Sequence, residues 1–592
     1  MPCHKYACKV IRLKRTCFGG DRLNKQGFLK GSAILLFTVA FTKALGLLYR
    51  IPLTRLLGGS GMGYYSSAFC VFTPVMAIAA AGIPSAMARL AAENYAFERF
   101  ANLRKTKRVA VLLFSGIGLV LTAAVILLSM PAAQLFTGHK NAGYAIACLA
   151  PTLLFCTAMS VWRGYFEGLH NMYPTAVSEI IETLFKLALG LGFAYYTCAR
   201  ALNEYSACGT CFGTNCTSEQ QALQTALPFV AAASVLGTSL SSGIACLYIM
   251  VRSKLKGDGI TPQMLQKDRL TDRTGEIVRR LLRYSLPVSL AALITTLTGM
   301  IDMLTVNPCA AAAISKSPQT FSHLQNGELT AQQLPNFIYG SYEALAAAVA
   351  GLVPTLTAML GKSALAGITE SFAKVDNKAV CTRLNKMMTL CAMIAFPSGL
   401  GISLLSEDIL SLLFSGRTAE IAVAAPSLRI LGAAVVLVSL SLPCFTILQA
   451  LGKSRCVALV MLLGGVIKLC GNIILVSIPR FTLTGAAIST VVSELFICIA
   501  TVLLTYKAAS SECDASNVFV KPLYAGLMST AAAFVAKQSA LKLHLFTHKP
   551  ALITLFALSF SVIMYLFVTF LLCEMPKNVL NSWFCKKNRK NT

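Results

Sequence analysis

Long apolar runs recur along this 592-residue chain, and each is long enough to cross a bilayer as a helix. A spanning helix needs about 20 apolar residues, because its backbone polar groups must be satisfied within the helix. With only 13% charged residues, the chain has too little charge to cover a soluble protein of this size. The sequence therefore predicts an all-α polytopic membrane protein. Its fourteen predicted spans are 29–51, 64–90, 109–130, 142–168, 174–198, 227–251, 284–306, 337–360, 384–405, 426–450, 455–477, 484–506, 520–540 and 551–573.

The positive charges lie between the spans. The net charge of +28 would fit a nucleic-acid-binding protein, but the basic residues do not gather on one soluble face. Lys and Arg are retained in cytoplasmic loops, so the basic loops 91–108 and 252–283 predict that side. Both termini then lie in the cytoplasm, and the protein belongs in the cytoplasmic membrane. One loop is an exception to this charge distribution, because Lys537, Lys542 and Lys549 fall on the predicted outer side.

The basic loop 252–283 divides the spans into six, six and two. At an offset of 282 residues Lys186 matches Lys468, and each lies about thirteen residues into its span. We interpret this as an internal duplication, which is common in transporters. The predicted units are a basic N-terminal segment 1–28, an N-lobe 29–252, a basic linker 253–283, a C-lobe 284–507, spans 13 and 14 in 508–575, and a basic tail 576–592.

The first span carries two cations. Lys43 lies about 18 Å from its start, and Arg50 follows seven residues later on the same helix face as Gly46. A cation near the bilayer centre costs about 2.5–3.5 kcal/mol on insertion scales, so it should face protein or water. Pro52 is expected to bend the helix just beyond Arg50. The pattern predicts a helix that lines a path for an anion.

Acidic residues also occur inside spans. Glu179, Glu182 and Lys186 share one face of the fifth span, and the spacing of Glu182 and Lys186 favours an ion pair. That pair either holds helices together or forms a cavity wall that binds substrate or a coupling ion. Asp302 and Glu343 are further candidates for an ion or proton site. Water at the outer interface explains these two more simply, Glu343 above all.

No catalytic or cofactor motif competes with these charges. Gly361-Lys362-Ser363 and Gly452-Lys453-Ser454 lack the first glycine of a nucleotide-binding loop, so no ATPase is predicted. The outer loops are too short and too poor in acids for a membrane-embedded glycosyltransferase, polymerase or ligase. We expect no cofactor and no metal, and we expect that the chain is not an enzyme. A cysteine cluster in one outer loop leaves a disulfide, free thiols and, less readily, a metal site open: Cys198, Cys208, Cys211 and Cys216.

Several motifs resemble those of a known family. Lys43-x-x-Gly46-x-x-Tyr49-Arg50-Ile51-Pro52 and the following Arg55-Leu56-Leu57-Gly58 resemble the first helix of stage V sporulation protein B-like proteins. Ala81-Gly82-Ile83-Pro84-Ser85-Ala86 is similar to their second helix, and Leu352-Val353-Pro354-Thr355-Leu356 to their eighth. These proteins belong with polysaccharide exporters and lipid II flippases of the MATE-like MOP superfamily. The resemblance implies two pseudo-symmetric six-helix lobes around a central cavity, with two extra helices.

The resemblance also implies a function. Such proteins move undecaprenyl-pyrophosphate-linked saccharides, such as peptidoglycan precursors or polysaccharide repeat units, across the membrane by alternating access, in cell-wall or spore-cortex synthesis. Expected partners are that substrate, the bilayer and a coupling ion, H⁺ or Na⁺. Basic residues of the first helix match cavity positions of the family. A cation-coupled multidrug exporter of the same fold is the alternative, which the basic stripe disfavours. Predicted substrate ligands are Lys43, Arg50, Lys186 and Lys468, and predicted ion-coupling or charge-relay groups are Glu179, Glu182 and Asp302.

Overall fold

A computed structural model describes most of the chain. The described residues are 28–137, 140–267, 271–321, 333–373, 376–451, 453–509, 514, 516–542 and 550–572. The predicted basic tail 576–592 and the predicted N-terminal segment, apart from Phe28, lie outside the described residues.

The described chain is almost entirely helical, and one two-stranded antiparallel hairpin interrupts it. We use N-half for residues 28–256 and C-half for residues 274–508. The N-half contains α1 (Phe28–Ala80), α2 (Ile83–Ala96), α3 (Phe100–Thr137), α4 (Ala142–Leu149), α5 (Pro151–Gly168), α6 (Tyr173–Cys208), β1 (Thr210–Cys211), β2 (Thr214–Asn215) and α7 (Glu219–Lys256). The connection between the halves contains α8 (Pro262–Lys267).

The C-half begins with a long helix and includes a broken span. Its elements are α9 (Thr274–Lys316), a 3₁₀ turn (Pro318–Phe321), α10 (Leu334–Ser341), a π-helical turn (Tyr342–Ala347), α11 (Ala348–Ala350), α12 (Leu352–Ala373), α13 (Asn377–Leu404), α14 (Ser406–Leu413), α15 (Thr418–Ala450), α16 (Ser454–Val476) and α17 (Gly485–Ala508). A second π-helical turn (Ser516–Val520), α18 (Lys521–Lys542) and α19 (Pro550–Leu572) follow.

Ten of the described helices are long and apolar enough to cross a membrane, or eleven when the bent pair Leu334–Ala350 and Leu352–Gly361 counts as one span. The number fourteen is not confirmed by this test, but it is consistent with it. Most of predicted span 1 and all of predicted span 2 fall within one apolar segment, Phe37–Ala96. Predicted spans 5 and 7 correspond to α6 and α9, which are long helices that carry charged residues.

Helix α1 contains a break at Gly58. This residue has φ 60° and ψ −172°, a conformation that glycine adopts without the clash a Cβ would cause. Gly59 N, just after the break, donates a hydrogen bond to Glu420 Oε1 of α15 (3.1 Å). Arg417 pairs with the same carboxylate (3.5 Å) and donates to the backbone carbonyl of Arg55. The sequence predicts a bend at Pro52, but Pro52 lies inside a continuous helix and the break occurs at Gly58.

The N-half and C-half approach each other closely beside this break, at what we call the Gly58 end. Asn336 Nδ2 donates to the carbonyl of Ser60 (2.8 Å). A Cβ built on Gly340 would collide with the backbone of Gly59, and one on Gly59 would lie 2.6 Å from the Phe337 ring. Only residues without a Cβ permit this backbone contact between α1 and α10. Arg55, expected as an interfacial anchor, also reaches the C-half here: its Nη2 lies 2.7 Å from Ser415 Oγ.

Replacing Gly340 should therefore destabilise the protein. Gly340→Ala forces the two helices apart, and overpacking of this kind costs about 1–3 kcal/mol. Thermal unfolding of the purified protein should show a lower midpoint. The matched control is Gly192→Ala in α6, where a built Cβ meets nothing within 4 Å and alanine favours the helix. Equal midpoints for wild type and Gly340→Ala would contradict the close packing.

The halves also meet at the opposite end of the bundle, the Gly82 end. Gly82 N donates to Ser289 Oγ of α9 (3.2 Å), and the Arg89 guanidinium lies 4.3 Å from the centre of the Tyr284 ring. A Cβ on Gly82 would collide with the backbone of Ser285. The Arg89 guanidinium thus stacks on an aromatic ring of the other half.

Two aspartates attach the connection between the halves to the base of α3. Asp272 accepts hydrogen bonds from Arg99 Nη2 (2.6 Å) and Asn102 Nδ2 (2.9 Å). Asp258 accepts one from the Tyr165 hydroxyl (2.7 Å). Burial acts to raise the pKa of each carboxyl, but these donors and nearby basic groups hold the pKa of both below the usual value. The basic linker is thus an ordered part of the bundle over its described residues.

This arrangement predicts acid sensitivity. A carboxyl with a lowered pKa in the folded state stabilises the protein above its unfolded pKa of 3.8 and loses that contribution as the pH falls through the folded value. Wild type should therefore unfold at a higher temperature than Asp272→Asn near neutral pH, and the difference should shrink below about pH 4. A difference that stays constant down to the lowest pH would contradict this.

The last two helices pack against α13 and α14. Tyr565 Oη donates to the carbonyl of Met393 (2.5 Å). Lys537 Nζ pairs with Asp408, which lies on the same predicted outer side as Lys537, Lys542 and Lys549. A carboxylate partner at that end explains why a lysine is retained there.

Candidate functional site

Three basic side chains from two helices converge on one cavity. Lys43 and Arg50 lie on α1, and Lys186 lies on α6. The cavity, which we call chamber 1, has a volume of about 500 Å³ and extends along α1 from Arg50 to Thr42. The opposite wall is the bent span of the C-half. The other residues that line chamber 1 are Gly46, Leu47, Tyr49, Tyr65, Thr183, Ala347, Ala348, Gly351, Leu352 and Thr355.

The three cations are held without a carboxylate partner among the described residues. Arg50 Nη2 donates to the backbone carbonyl of Glu343 (2.6 Å), while its buried Nε has no hydrogen-bond partner there. The Lys186 ammonium lies 4.9 Å from the centre of the Phe69 ring and 5.5 Å from that of Tyr49. Lys43 is exposed and experiences repulsion from Lys186. The chamber therefore holds positive charge that no described ion pair neutralises.

A second cavity, chamber 2, adjoins the first and shares Arg50, Tyr65 and Lys186 with it. Its volume is about 370 Å³. Two acidic residues of the C-half line it, Asp302 and Glu343. The other residues that line it are hydroxyl-bearing, small or apolar: Ser66, Phe69, Cys70, Thr73, Thr296, Gly299 and Met300. The two chambers together form one polar space between the halves, with basic groups at one end and acidic groups at the other.

The wall opposite Arg50 is irregular backbone. The π-helical turn Tyr342–Ala347 precedes α11, and the span bends by 40° before α12. Such turns occur often at functional sites, and irregular backbone is tolerated at membrane depth only where it lines a cavity or is buried in protein. The turn brings the Glu343 carbonyl to the Arg50 guanidinium.

Lys468 is not in the lining of either chamber. Its Nζ lies 2.7 Å from Asp302 Oδ2, and both residues are buried, with 5% and 7% of their surface exposed. Asn472 Nδ2 donates to the other carboxylate oxygen (2.9 Å). Lys468, predicted as a substrate ligand, lies here in a buried ion pair that links α9 and α16, and its role as a ligand stays a prediction. Asp302, a predicted ion-coupling group, thus has one carboxylate oxygen bound to Lys468 and the other to Asn472.

Glu182 also departs from its predicted pairing. Its carboxylate accepts from Arg163 Nη2 (3.0 Å) and Ser242 Oγ (2.7 Å), and so joins α5, α6 and α7. The spacing to Lys186 suits an ion pair, but the guanidinium of the neighbouring helix takes the carboxylate instead. Arg163 is therefore an internal partner of Glu182. Glu179 interacts electrostatically with Glu167 and does not line the described chambers.

The pairing can be measured with double-mutant cycles on thermal stability. Arg163→Gln and Glu182→Gln should each destabilise the protein, and the two should couple by about 1–3 kcal/mol, because they share one contact. The cycle of Glu182→Gln with Lys186→Gln is the matched control and should show coupling near zero. A larger coupling for the second pair than for the first would contradict the structure.

The cysteine cluster remains reduced in this structure. All four thiols are free, Cys211 Sγ donates to the carbonyl of Ala222 (3.2 Å), and Cys198 is buried within α6. Among the described residues no group of three or more His, Cys, Asp or Glu side chains could hold a metal ion. Of the alternatives left open, the structure has the free thiols.

Several site residues were not predicted. Tyr49, Tyr65 and Phe69 form an aromatic wall beside Lys186, and Thr183 lies one residue past Glu182 on α6. Tyr49 directly precedes Arg50, so an aromatic residue next to an intramembrane cation was a usable signal. Tyr65 and Phe69 had none, because they belong to the part of α1 beyond the break at Gly58. Glu343, better explained as water-exposed at the outer interface, lies within the bundle opposite Arg50.

Sequence comparison places this architecture among known proteins. The family described as "Polysaccharide biosynthesis protein" matches residues 28–206. Stage V sporulation protein B of Bacillus subtilis (strain 168) is 23% identical over 480 residues, covering 80% of this chain and 82% of that protein. Lipid II flippase MurJ of the same organism is 24% identical over 468 residues, covering 76% and 78%. The predicted resemblance is confirmed.

Solved structures share the fold. An inward-facing MATE-family multidrug resistance transporter of the MOP superfamily has a TM-score of 0.58 at 16% identity and covers 81% of this chain and 98% of its own. Lipid II flippase MurJ in an inward closed conformation has a TM-score of 0.57 at 14% identity and covers 90% and 98%. The chain is therefore an all-α, multi-pass membrane protein with a MATE-like fold. The relatives whose names state an activity are a lipid II flippase and a multidrug resistance transporter, and the prediction that the chain is not an enzyme agrees with them.

Proposed function

We propose that this protein is a flippase for a lipid-linked saccharide that carries a pyrophosphate group. The observation that supports this most directly is chamber 1, where Lys43, Arg50 and Lys186 present positive charge without a described carboxylate partner. Retaining such charge in a membrane-spanning bundle is costly unless a ligand or water compensates it. A pyrophosphate supplies the matching negative charge and several acceptor oxygens.

Each basic residue would contribute differently. Arg50 has a buried Nε without a partner, and its planar guanidinium suits bidentate binding of a phosphate. Lys186 is confined between aromatic faces and would act as a fixed point charge. Lys43 is exposed at the far end of the chamber and would meet the anion first. The saccharide would extend into chamber 2, whose hydroxyl groups can hydrogen-bond to a sugar, while the lipid chain stays in the bilayer.

Transport would proceed by alternating access. The N-half and C-half, which we take as the two lobes, meet at the Gly58 end and at the Gly82 end, and the chambers lie between these contacts. Opening one contact while the other holds would expose the chambers to one side of the membrane at a time. In the orientation that the basic loops favour, with both termini cytoplasmic, the Gly58 end faces outward. The saccharide, the polymer it serves and a coupling ion, H⁺ or Na⁺, belong to this proposal.

The similarity of the chain to stage V sporulation protein B and to lipid II flippase MurJ supports the same proposal. By this likeness the substrate is a peptidoglycan precursor or a related undecaprenyl-linked unit, for cell-wall or spore-cortex synthesis. A cation-coupled multidrug exporter is the second candidate, because MATE-family transporters share the fold. The acidic residues of chamber 2 favour it, but Asp302 is already neutralised by Lys468, so the shared space stays net positive.

Substitution of the basic residues tests the proposal. In vesicles containing the purified protein, flipping of a fluorescent undecaprenyl-pyrophosphate-linked sugar should fall about 10- to 100-fold in Lys43→Gln, Arg50→Gln and Lys186→Gln. Each variant loses one charge-assisted contact worth about 1.5–3 kcal/mol. Arg200→Gln is the matched control, since this exposed arginine of α6 does not line either chamber.

The competing candidate gives the opposite result. A multidrug exporter would transport a lipophilic cationic dye, and removing a positive charge from the chamber should leave that transport unchanged or increase it. Full flipping activity in all three variants at normal protein levels, or dye transport without flipping by wild type, would overturn the flippase proposal.

A further inference from the structure

Glu343 is the acidic group of the chambers that the contacts described above leave unused. It lies on the π-helical turn and lines chamber 2. No described Lys or Arg forms an ion pair with its carboxylate, whereas Asp302 has one oxygen bound to Lys468 and the other to Asn472. Glu343 is thus a half-buried carboxyl inside a membrane-spanning bundle, with no described ion-pair partner of its own.

Its position ties it to the basic site. The backbone carbonyl of Glu343 accepts the Arg50 guanidinium, and its side chain interacts electrostatically with the same arginine. An anion bound at Arg50 therefore comes close to this carboxyl. Two negative charges at that distance in a medium of low polarity repel each other strongly. An ionised Glu343 and a bound anion then compete for one guanidinium.

The surroundings of Glu343 leave Arg50 as the charge that responds to a ligand. Asp302 and Lys468 form a closed pair, and the charged residues of α15 lie elsewhere: Glu420 at the Gly58 end and Arg429 in a separate pocket with Glu407. The titratable and charged groups that face Glu343 or share chamber 2 with it are Arg50, Tyr65 and Cys70 of α1, Lys186 of α6, Asp302 of α9, Tyr339 and Tyr342 of its own segment and Lys468 of α16.

From this geometry we propose that Glu343 is a proton-binding site coupled to the anion site at Arg50. Without ligand, the ionised carboxylate serves as the counter-anion of the guanidinium. When a phosphate group binds Arg50, Glu343 takes up a proton from water, and the phosphate replaces it as counter-anion. Because the proton offsets part of the negative charge of the ligand, the net charge of the cavity changes on binding by less than the charge of the ligand. This inference rests on the proposed anion-binding function of chamber 1.

The coupling has a definite sign. Because the bound anion and the ionised carboxylate repel each other, anion binding and proton uptake favour each other, and linkage makes this reciprocal. Anion affinity should therefore fall as the pH rises through the range in which Glu343 ionises. One coupled proton changes the affinity by at most about tenfold per pH unit.

Binding of inorganic pyrophosphate to the detergent-solubilised full-length protein tests this. Calorimetric titrations from about pH 5 to about pH 9, in buffers of different ionisation enthalpy, give both the affinity and the protons taken up. Pyrophosphate titrates too, but identically with every protein, so the comparison with Glu343→Gln isolates the protein's proton. Glu343→Ala is the second variant, and Glu407→Gln is the matched control, an exposed carboxylate of a separate pocket.

Wild type and Glu407→Gln should take up as much as one proton more per pyrophosphate than either Glu343 variant, and their affinity should fall more steeply with pH. Equal proton uptake and equal pH dependence in wild type and both Glu343 variants, with pyrophosphate still bound, would overturn the proton site while leaving the proposed function intact. No pyrophosphate binding by any of these proteins at any pH would overturn the proposed function, and this inference with it.

Discussion

The cost of placing a positive charge in a membrane-spanning bundle organises this protein. Cations deep in the bundle come in two kinds. Arg163 and Lys468 each pair with a carboxylate on another helix. The first pair lies within the N-half and the second within the C-half. Lys43, Arg50 and Lys186 have only a backbone carbonyl, aromatic faces and open space. Paired cations satisfy the packing of the chain, whereas this second group needs water or an external anion.

The fold maintains that open space by concentrating the contact between the halves at two ends. At the Gly58 end, glycines let α1 and α10 touch backbone to backbone, and at the Gly82 end the backbone of α9 fills the same role. Between these ends, the π-helical turn and the small residues after it keep the C-half wall away from α1. The closest backbone approaches between the halves thus lie at glycines, and the cavity occupies the stretch where side chains are charged.

How far the sequence predicts this site depends on whether the signal is local. Lys43 and Arg50 are identifiable because depth within a span and a seven-residue spacing are properties of one helix. Depth also selected Lys468, but it could not reveal the ion pair with Asp302, which is 166 residues away in the chain. The local spacing of Glu182 and Lys186 likewise failed, since Arg163 of another helix takes the carboxylate. The helical, polytopic fold follows from hydropathy, but which charges remain unpaired is a tertiary property.

The connection between the halves constrains how they can move. Asp272 contacts Arg99 of the N-half at 2.6 Å and Arg280 of the C-half at 3.8 Å, so the bases of α3 and α9 share one carboxylate. Any rocking that separates these bases must break an ion pair, whereas the Gly58 end holds the halves through glycine packing and through hydrogen bonds from or to the backbone that involve Asn336, Arg417 and Glu420. The two ends therefore resist separation by different physical means. Among the described residues, the Gly58 end is the one at which the halves can part without breaking an ion pair between them.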